Sequence, residues 1–311
     1  MNAEVTGLHH ITAIASDPRQ NLDFYTRALG LRFVKKSINQ DDPGTYHLYY
    51  GDYAASPGTI LTFFPWAGLR RGRPGTGQAY ATGFSVPAGS LRFWQERFKK
   101  LNVPQQAIEP RFADEVLPFT DPDGLRLELV ATRESDARPA APAKDVPAEL
   151  AIRGFHSSTL ALGDSGATAK VLTDSMGYRL AEKSGHRARY TAAEGGPGTY
   201  VDLLTDPTLP RGLNGAGTIH HVAFRVADDA KEIAAREILV KSGLSVSPVI
   251  DRAYFKSIYY REPAGVLFEI ATDGPGFAID ESLEELGTKL GLPPHLEPHR
   301  DAIEAALPKI D

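Results

Sequence analysis

Two pairs of adjacent histidines, His9-His10 in GLHHIT and His220-His221 in TIHHVAF, sit in similar apolar settings far apart in a 311-residue chain. Repeated imidazoles are suited to holding a transition metal, and a nearby carboxylate would complete such a set. The chain has no cysteine, which excludes disulfides, thiolate ligands and cysteine nucleophiles, so any metal must be held by histidine and carboxylate. No P-loop, G-x-S-x-G, H-E-x-x-H or G-x-G-x-x-G pattern offers a competing chemistry.

The carboxylates come from a second repeated feature. Four glycine-marked turns lead into apolar strands: Gly58 before TILTFFP, Gly124 before LRLELVA, Gly198 before TYVDLLT and Gly265 before VLFEIA. The position four residues after each glycine holds Thr62, Glu128, Asp202 and Glu269. The histidine pairs belong to a matching set of strand openings, Leu8–Ile11, Ala79–Thr82, Phe155–Ser158 and Ile219–Val222. Across those four, the position of the second histidine reads His10, Ala81, Ser157 and His221.

Each opening is followed by a helix-like stretch and then by further strands, so the chain reads as four copies of one unit. Asp17 caps the first helix, with Pro18 at its first position and Gly30 at its end. Ser90 is the expected cap of the second, which carries Leu91, Trp94 and Phe98. Gly177 ends the third, and Asp228 or Asp229 starts the fourth, whose apolar stripe is the weakest. The expected organisation is an N-terminal half over 1–132, a Pro/Ala-rich linker over 133–150, a C-terminal half over 151–275 and an extension of short helices over 276–311. The basic, glycine-rich RRGRPGTG at 70–77 reads as a loop over the pocket mouth.

If one site takes both marked positions from each of two paired units, pairing decides its chemistry. Units 1 and 4 give His10, Thr62, His221 and Glu269; units 2 and 3 give Ala81, Glu128, Ser157 and Asp202, with no imidazole. Pairing in chain order splits the histidines. The 1-with-4 pairing is preferred, and the acids of the other cup then serve structure or solvent. Neighbours on a strand point to opposite faces. If the second histidine of each pair faces the metal, His9 and His220 face away from it or stand just outside its ligands, in reach of ligands or substrate, and Thr12 shares the face of His10.

A formal net charge of −5 argues against nucleic acid, and no apolar run reaches the ~18 residues of a membrane span. The expectation is a cytoplasmic protein, with room for a homo-oligomer.

The motifs GLHHIT, YHLYYGD (46–52), RGFHS (153–157), GTIHHVAF (217–224) and DRAYFKSIYYREPAGVLFEIA (251–271) resemble the vicinal oxygen chelate superfamily, and within it the ring-cleaving dioxygenases that act on hydroquinones. The resemblance covers about residues 7 to 273. It implies an α+β fold of four βαβββ modules in two domains, paired into cupped mixed sheets. It implies Fe(II) held by His10, His221 and Glu269, with a small aromatic substrate and O2 as partners and an open-chain acid as product. Tyr259 would be a hydrogen-bond donor or acid, Arg252 the holder of an anionic oxygen, and Thr12, His9 and His220 residues around the metal. His47 and Tyr49 would be pocket wall; His156 and His186 would be structural. The alternative is a glyoxalase-type metal-dependent isomerase or lyase, for which Thr62 is a poor fourth ligand. A metal-free binding module would not need the His/His/Glu set.

Overall fold

The computed structural model describes residues 2–140 and 143–310. Residues 1, 141, 142 and 311, which fall in the expected N-terminal half, linker and extension, lie outside the described residues.

The first unit forms β1 (Gly7–Ala15), helix α1 (Pro18–Asp23), β2 (Arg32–Asn39), β3 (Asp42–Gly51) and β4 (Ile60–Pro65). The second forms β5 (Gln78–Pro87), α2 (Leu91–Lys100), β6 (Glu109–Arg111), β7 (Asp114–Thr120) and β8 (Arg126–Thr132). The third forms β9 (Gly154–Leu162), α3 (Gly166–Lys170), β10 (Arg179–Ser184), β11 (Arg187–Thr191) and β12 (Tyr200–Thr205). The fourth forms β13 (Thr218–Val226), α4 (Asp229–Lys241), β14 (Ile250–Asp251), β15 (Phe255–Arg261) and β16 (Leu267–Pro275). Each is a βαβββ module, and together they make the α+β vicinal oxygen chelate architecture.

The modules pair as the histidines require. One sheet runs β14-β15-β16-β13-β1-β4-β3-β2 and ends on a short β17 (Leu290–Gly291); the other runs β10-β11-β12-β9-β5-β8-β7-β6. Modules 1 and 4 therefore share one sheet, joined by the antiparallel β1–β13 pair, and modules 2 and 3 share the other, joined by β5–β9. Each sheet thus draws one module from either side of the 133–150 segment. The four turn glycines that mark the repeat all adopt φ between 89° and 98°, a left-handed conformation that disfavours any side chain. That shared geometry explains why the position four residues later is equivalent in every copy.

Helix starts follow the expected chemistry with one exception. The Asp17 side chain accepts from the Arg19 and Gln20 amides, and Asp228 accepts from that of Lys231. Ser90 makes no cap: its backbone is already helical, and its hydroxyl is buried without a partner among the described residues. Helix α2 is held instead by burial of Trp94 and Phe98, each worth roughly 1.5–3 kcal/mol as a large apolar side chain removed from water.

Two other expectations are corrected. The 70–77 segment does not cover the main cavity. It crosses the equivalent loop of the other half, through bridges Arg71 to Ala216, Arg73 to Leu213 and Thr76 to Arg211. The backbones meet so closely that a Cβ on Gly75 would lie 2.1 Å from the Pro210 carbonyl oxygen. The C-terminal extension holds α5 (Arg300–Ala306), but it also adds strand β17 to the first sheet, parallel to β2. The fully buried Lys35 on β2 pins the start of this extension, its Nζ lying 2.5 Å from both Asp280 Oδ1 and Glu281 Oε2. Among the described residues no helix is long and apolar enough to cross a membrane.

Candidate metal centre

His10 on β1, His221 on β13 and Glu269 on β16 converge inside the cup of the first sheet. The two Nε2 atoms are 3.3 Å apart, and Glu269 Oε2 lies 3.2 Å from that of His10 and 2.9 Å from that of His221. All three side chains are buried, and one ligand atom from each falls within a 4.8 Å cluster. Among the described residues neither carboxylate oxygen of Glu269 finds a hydrogen bond of proper geometry. A fully buried carboxylate left in that state, facing two imidazole nitrogens, fits a cation between the three. Burial alone would raise the Glu269 carboxyl, but His10 and His221 outweigh it and hold it well below the usual carboxylate range. Burial lowers His221, against the pull of Glu269. The donor set is the two-histidine, one-carboxylate arrangement that leaves further coordination positions free.

The outer histidines depart from simple strand alternation. In the β1–β13 ladder the register skips between Leu8 and His10 and again between His221 and Ile219, so His9 and His220 are the extra residues of two bulges. A bulge re-aims its side chain. His9 Nδ1 therefore comes within 2.9 Å of His10 Nδ1, and His220 Nδ1 within 2.8 Å of His221 Nδ1. Donation from the inner Nδ1 in each pair leaves the Nε2 lone pair turned toward Glu269. Burial first, then the neighbouring histidine, pushes both His9 and His220 down to about 3, so both are neutral acceptors. They differ in position: His9 packs behind His10 against Phe255, whereas His220 lines the cavity.

The cavity beside the cluster has a volume of about 280 Å³. His10, His221, Arg252, Tyr259 and His47 form its polar side, and Ile38, Phe64, Trp66 and Leu267 its apolar side. Leu292 and Pro293 of the C-terminal extension close another part of the wall. Tyr259 is the cross-strand partner of Glu269, and its hydroxyl meets Arg252 Nε at 3.2 Å and Ser257 Oγ at 3.1 Å. Burial, then the charge of Glu269, raises the Tyr259 phenol, so it stays protonated. Among the described residues Arg252 makes no ion pair; it lies over the Tyr259 ring and donates to Gln40 Oε1.

Thr62 stands where the other module carries Glu269, and its hydroxyl is engaged by Thr12 Oγ1 and by His47 Nε2, each at 2.8 Å. Tyr49 continues the chain, 2.7 Å from His47 Nδ1. Thr12 thus sits behind Thr62 and is not among the residues that line the cavity. The His47–Thr62 contact was missed from sequence, although Tyr49 and His47 share strand β3 with the alternation that puts both on one face.

The second cup is filled by protein cations. Glu128 Oε2 pairs with Arg111 Nη1 at 2.6 Å and Asp202 Oδ1 with Arg189 Nε at 2.9 Å, while Arg189 also reaches Asp114. Guanidinium groups supply there the positive charge that the acids need, so Glu128 and Asp202 are structural. His156 is buried beside Asp114, and His186 is exposed on the surface.

Comparison with known proteins agrees with this geometry. The family model described as Glyoxalase/Bleomycin resistance protein/Dioxygenase superfamily matches residues 7–129 and 154–270. MhqO of Bacillus subtilis (strain 168), named as a candidate ring-cleaving dioxygenase, is 47% identical over 307 residues, covering 99% of this chain and 97% of the relative. A chlorohydroquinone/hydroquinone 1,2-dioxygenase of Sphingobium indicum is 35% identical over 308 residues, covering 96% and 95% of the two chains. The crystal structure of a candidate dioxygenase from Bacillus subtilis superimposes with a TM-score of 0.95 at 45% identity, covering 99% of this chain and 98% of that one. Glyoxalase I from Zea mays shares the fold, with a TM-score of 0.65 at 15% identity over 86% of this chain and 92% of that one.

Proposed function

The chain belongs to the Glyoxalase/Bleomycin resistance protein/Dioxygenase superfamily, and we propose that within it this chain is an Fe(II)-dependent, extradiol-type dioxygenase that opens the ring of a hydroquinone or related dihydroxybenzene. The observation that carries this reading is the convergence of His10, His221 and Glu269 beside an aromatic-lined cavity that His10 and His221 line, with no fourth His or carboxylate in the cluster among the described residues.

Fe(II) held by these three residues would supply open positions at which a phenolic oxygen and O2 meet. The protein does the rest. Phe64 and Trp66 offer flat apolar surface to the ring, which holds it in one orientation and excludes water. Arg252 stabilises the negative charge of an ionised phenol without being able to take its proton. Tyr259, kept protonated by burial, donates a hydrogen bond to charge that builds on oxygen during cleavage. His9 positions His10 from behind, Thr12 holds the Thr62 hydroxyl, and His220 reaches the cavity itself.

The isomerase alternative is disfavoured by Thr62. Its hydroxyl is committed to Thr12 and His47, so the fourth ligand position carries no carboxylate or imidazole. The test is anaerobic reconstitution with Fe(II) followed by oxygen-electrode assays on a panel of hydroquinones and catechols. One O2 consumed per ring opened is expected. No uptake with any ring, together with isomerisation of a hemithioacetal, would overturn the proposal.

A further inference from the structure

A second cavity, of about 290 Å³, backs onto the first and shares His220 and Leu267 with it. It lies where the start of β5, the crossing loop at 211–214 and the β15–β16 turn meet. Its character is different. Arg211 and Arg261 stand at its wall, and no described carboxylate pairs with either. The Arg211 guanidinium makes no hydrogen bond or ion pair among the described residues, and Arg261 is engaged only through Nη1, which donates to the Gly265 carbonyl at 2.8 Å. The two guanidiniums flank the same turn, since a Cβ on Gly265 would sit 3.9 Å from Arg211 Nη2.

His220 lines both cavities. Its Nδ1 is taken by His221 Nδ1, and its Nε2 has no hydrogen-bond partner among the described residues. Two guanidiniums stand around one concavity whose described lining residues include no carboxylate. A planar anion with two oxygens answers that pair, because guanidinium forks match carboxylates.

We propose that this second cavity is a carboxylate-binding site that receives the acid end of the ring-opened product. The proposal rests on the dioxygenase reading. In that reaction one ring C–C bond breaks and both atoms of O2 enter the product, one ring carbon becoming a carboxylic acid that loses its proton to water. A neutral substrate thus becomes an anion, and the arginine-lined cavity distinguishes the two. Binding there draws the product's charged end past the His220–Leu267 wall and out of the aromatic cavity.

The test is calorimetric titration of the full-length, metal-free protein with cis,cis-muconate, an open-chain six-carbon dicarboxylate. Removing both cations in Arg211→Gln/Arg261→Gln should weaken binding by about tenfold or more. Arg252→Gln, which alters the first cavity, should leave the affinity unchanged. In steady state the double variant should keep its kcat/KM for hydroquinone and lose sensitivity to inhibition by muconate. Both arginines are exposed, so the variant should fold, and its melting temperature checks that it does. Unaltered muconate affinity in the double variant, loss of affinity in Arg252→Gln instead, or no binding to the parent protein would each overturn the site. The titration needs no turnover, so absence of O2 uptake would overturn the reaction while the carboxylate site stands or falls by its own data.

Discussion

Tyr259 and Glu269 face each other directly across the β15–β16 ladder, and the Tyr259 ring lies 5.8 Å from that of His221. The same cross-strand relation recurs in every module: Tyr49 faces Thr62, Pro118 faces Glu128 and Arg189 faces Asp202. One structural position therefore supplies a phenol to the metal cup twice, and to the other cup a proline and one guanidinium, Arg189, that neutralises Asp202. Cross-strand neighbours are the unit through which a sheet couples side chains. Here that coupling separates a cup built for an added cation from a cup that carries its own.

Tyr259→Phe should keep the metal and substrate affinity but lower kcat by about a hundredfold, the usual cost of losing a positioned proton donor. Fe(II)-replete protein assayed at saturating O2 provides the measurement. An unchanged kcat would reduce Tyr259 to packing against His221.

His10→Ala, His221→Ala and Glu269→Gln should each fold and each fail to hold iron. Metal content after anaerobic reconstitution and desalting, read against circular dichroism, separates loss of the site from loss of the fold. Full occupancy in folded His10→Ala would reject the ligand set.

Much of this was legible in the sequence, because the four modules repeat both the histidine position and the glycine-marked turn. Gly58, Gly124, Gly198 and Gly265 mark a backbone conformation that sequence can announce. Glu269 lies four residues beyond Gly265 and Tyr259 four before Pro263, a symmetry about the turn that makes them cross-strand neighbours, as the ladder shows. The pairing of modules 1 and 4 followed from the histidines alone. The bulges at His9 and His220 were hidden, since a register skip depends on the partner strand and leaves no local signature. Arg111 and Arg189 were hidden too: charged strand residues read as solvent-facing until an opposite sheet position is known. Strand β17, two residues long, has no periodicity to read.

Lys35→Met should destabilise the protein by about 3 kcal/mol, the scale for removing one partner of a buried ion pair. Glu281 would keep a buried charge that Lys35 now helps to hold below its ordinary range against the effect of burial. The lost contact lies just before the stretch that puts Leu292 and Pro293 in the cavity wall. Limited proteolysis should therefore cut near residues 280–293 sooner than in the parent, and KM for the aromatic substrate should rise. Equal stability and equal protease resistance would show that β17 alone anchors the extension.

Glu232 supplies a pH test of the fold away from the metal. It lies on α4 with no exposed surface, and neither carboxylate oxygen has a hydrogen-bond partner among the described residues. Burial first, then the charges of Asp229 and Glu269, raises its carboxyl from 4.5 to about 7, with Lys256 pulling the other way. A carboxyl raised on folding favours the protonated form in the native state. It therefore costs nothing below about pH 4.5, costs progressively more up to about pH 7, and carries its full penalty above that. Glu232→Gln keeps the shape and cannot ionise. Its stability advantage over the parent, from urea unfolding, should grow by about 2 kcal/mol between pH 5 and pH 8. A difference that stays flat across that range would show that Glu232 reaches water or a cation in solution and folds with an ordinary carboxylate.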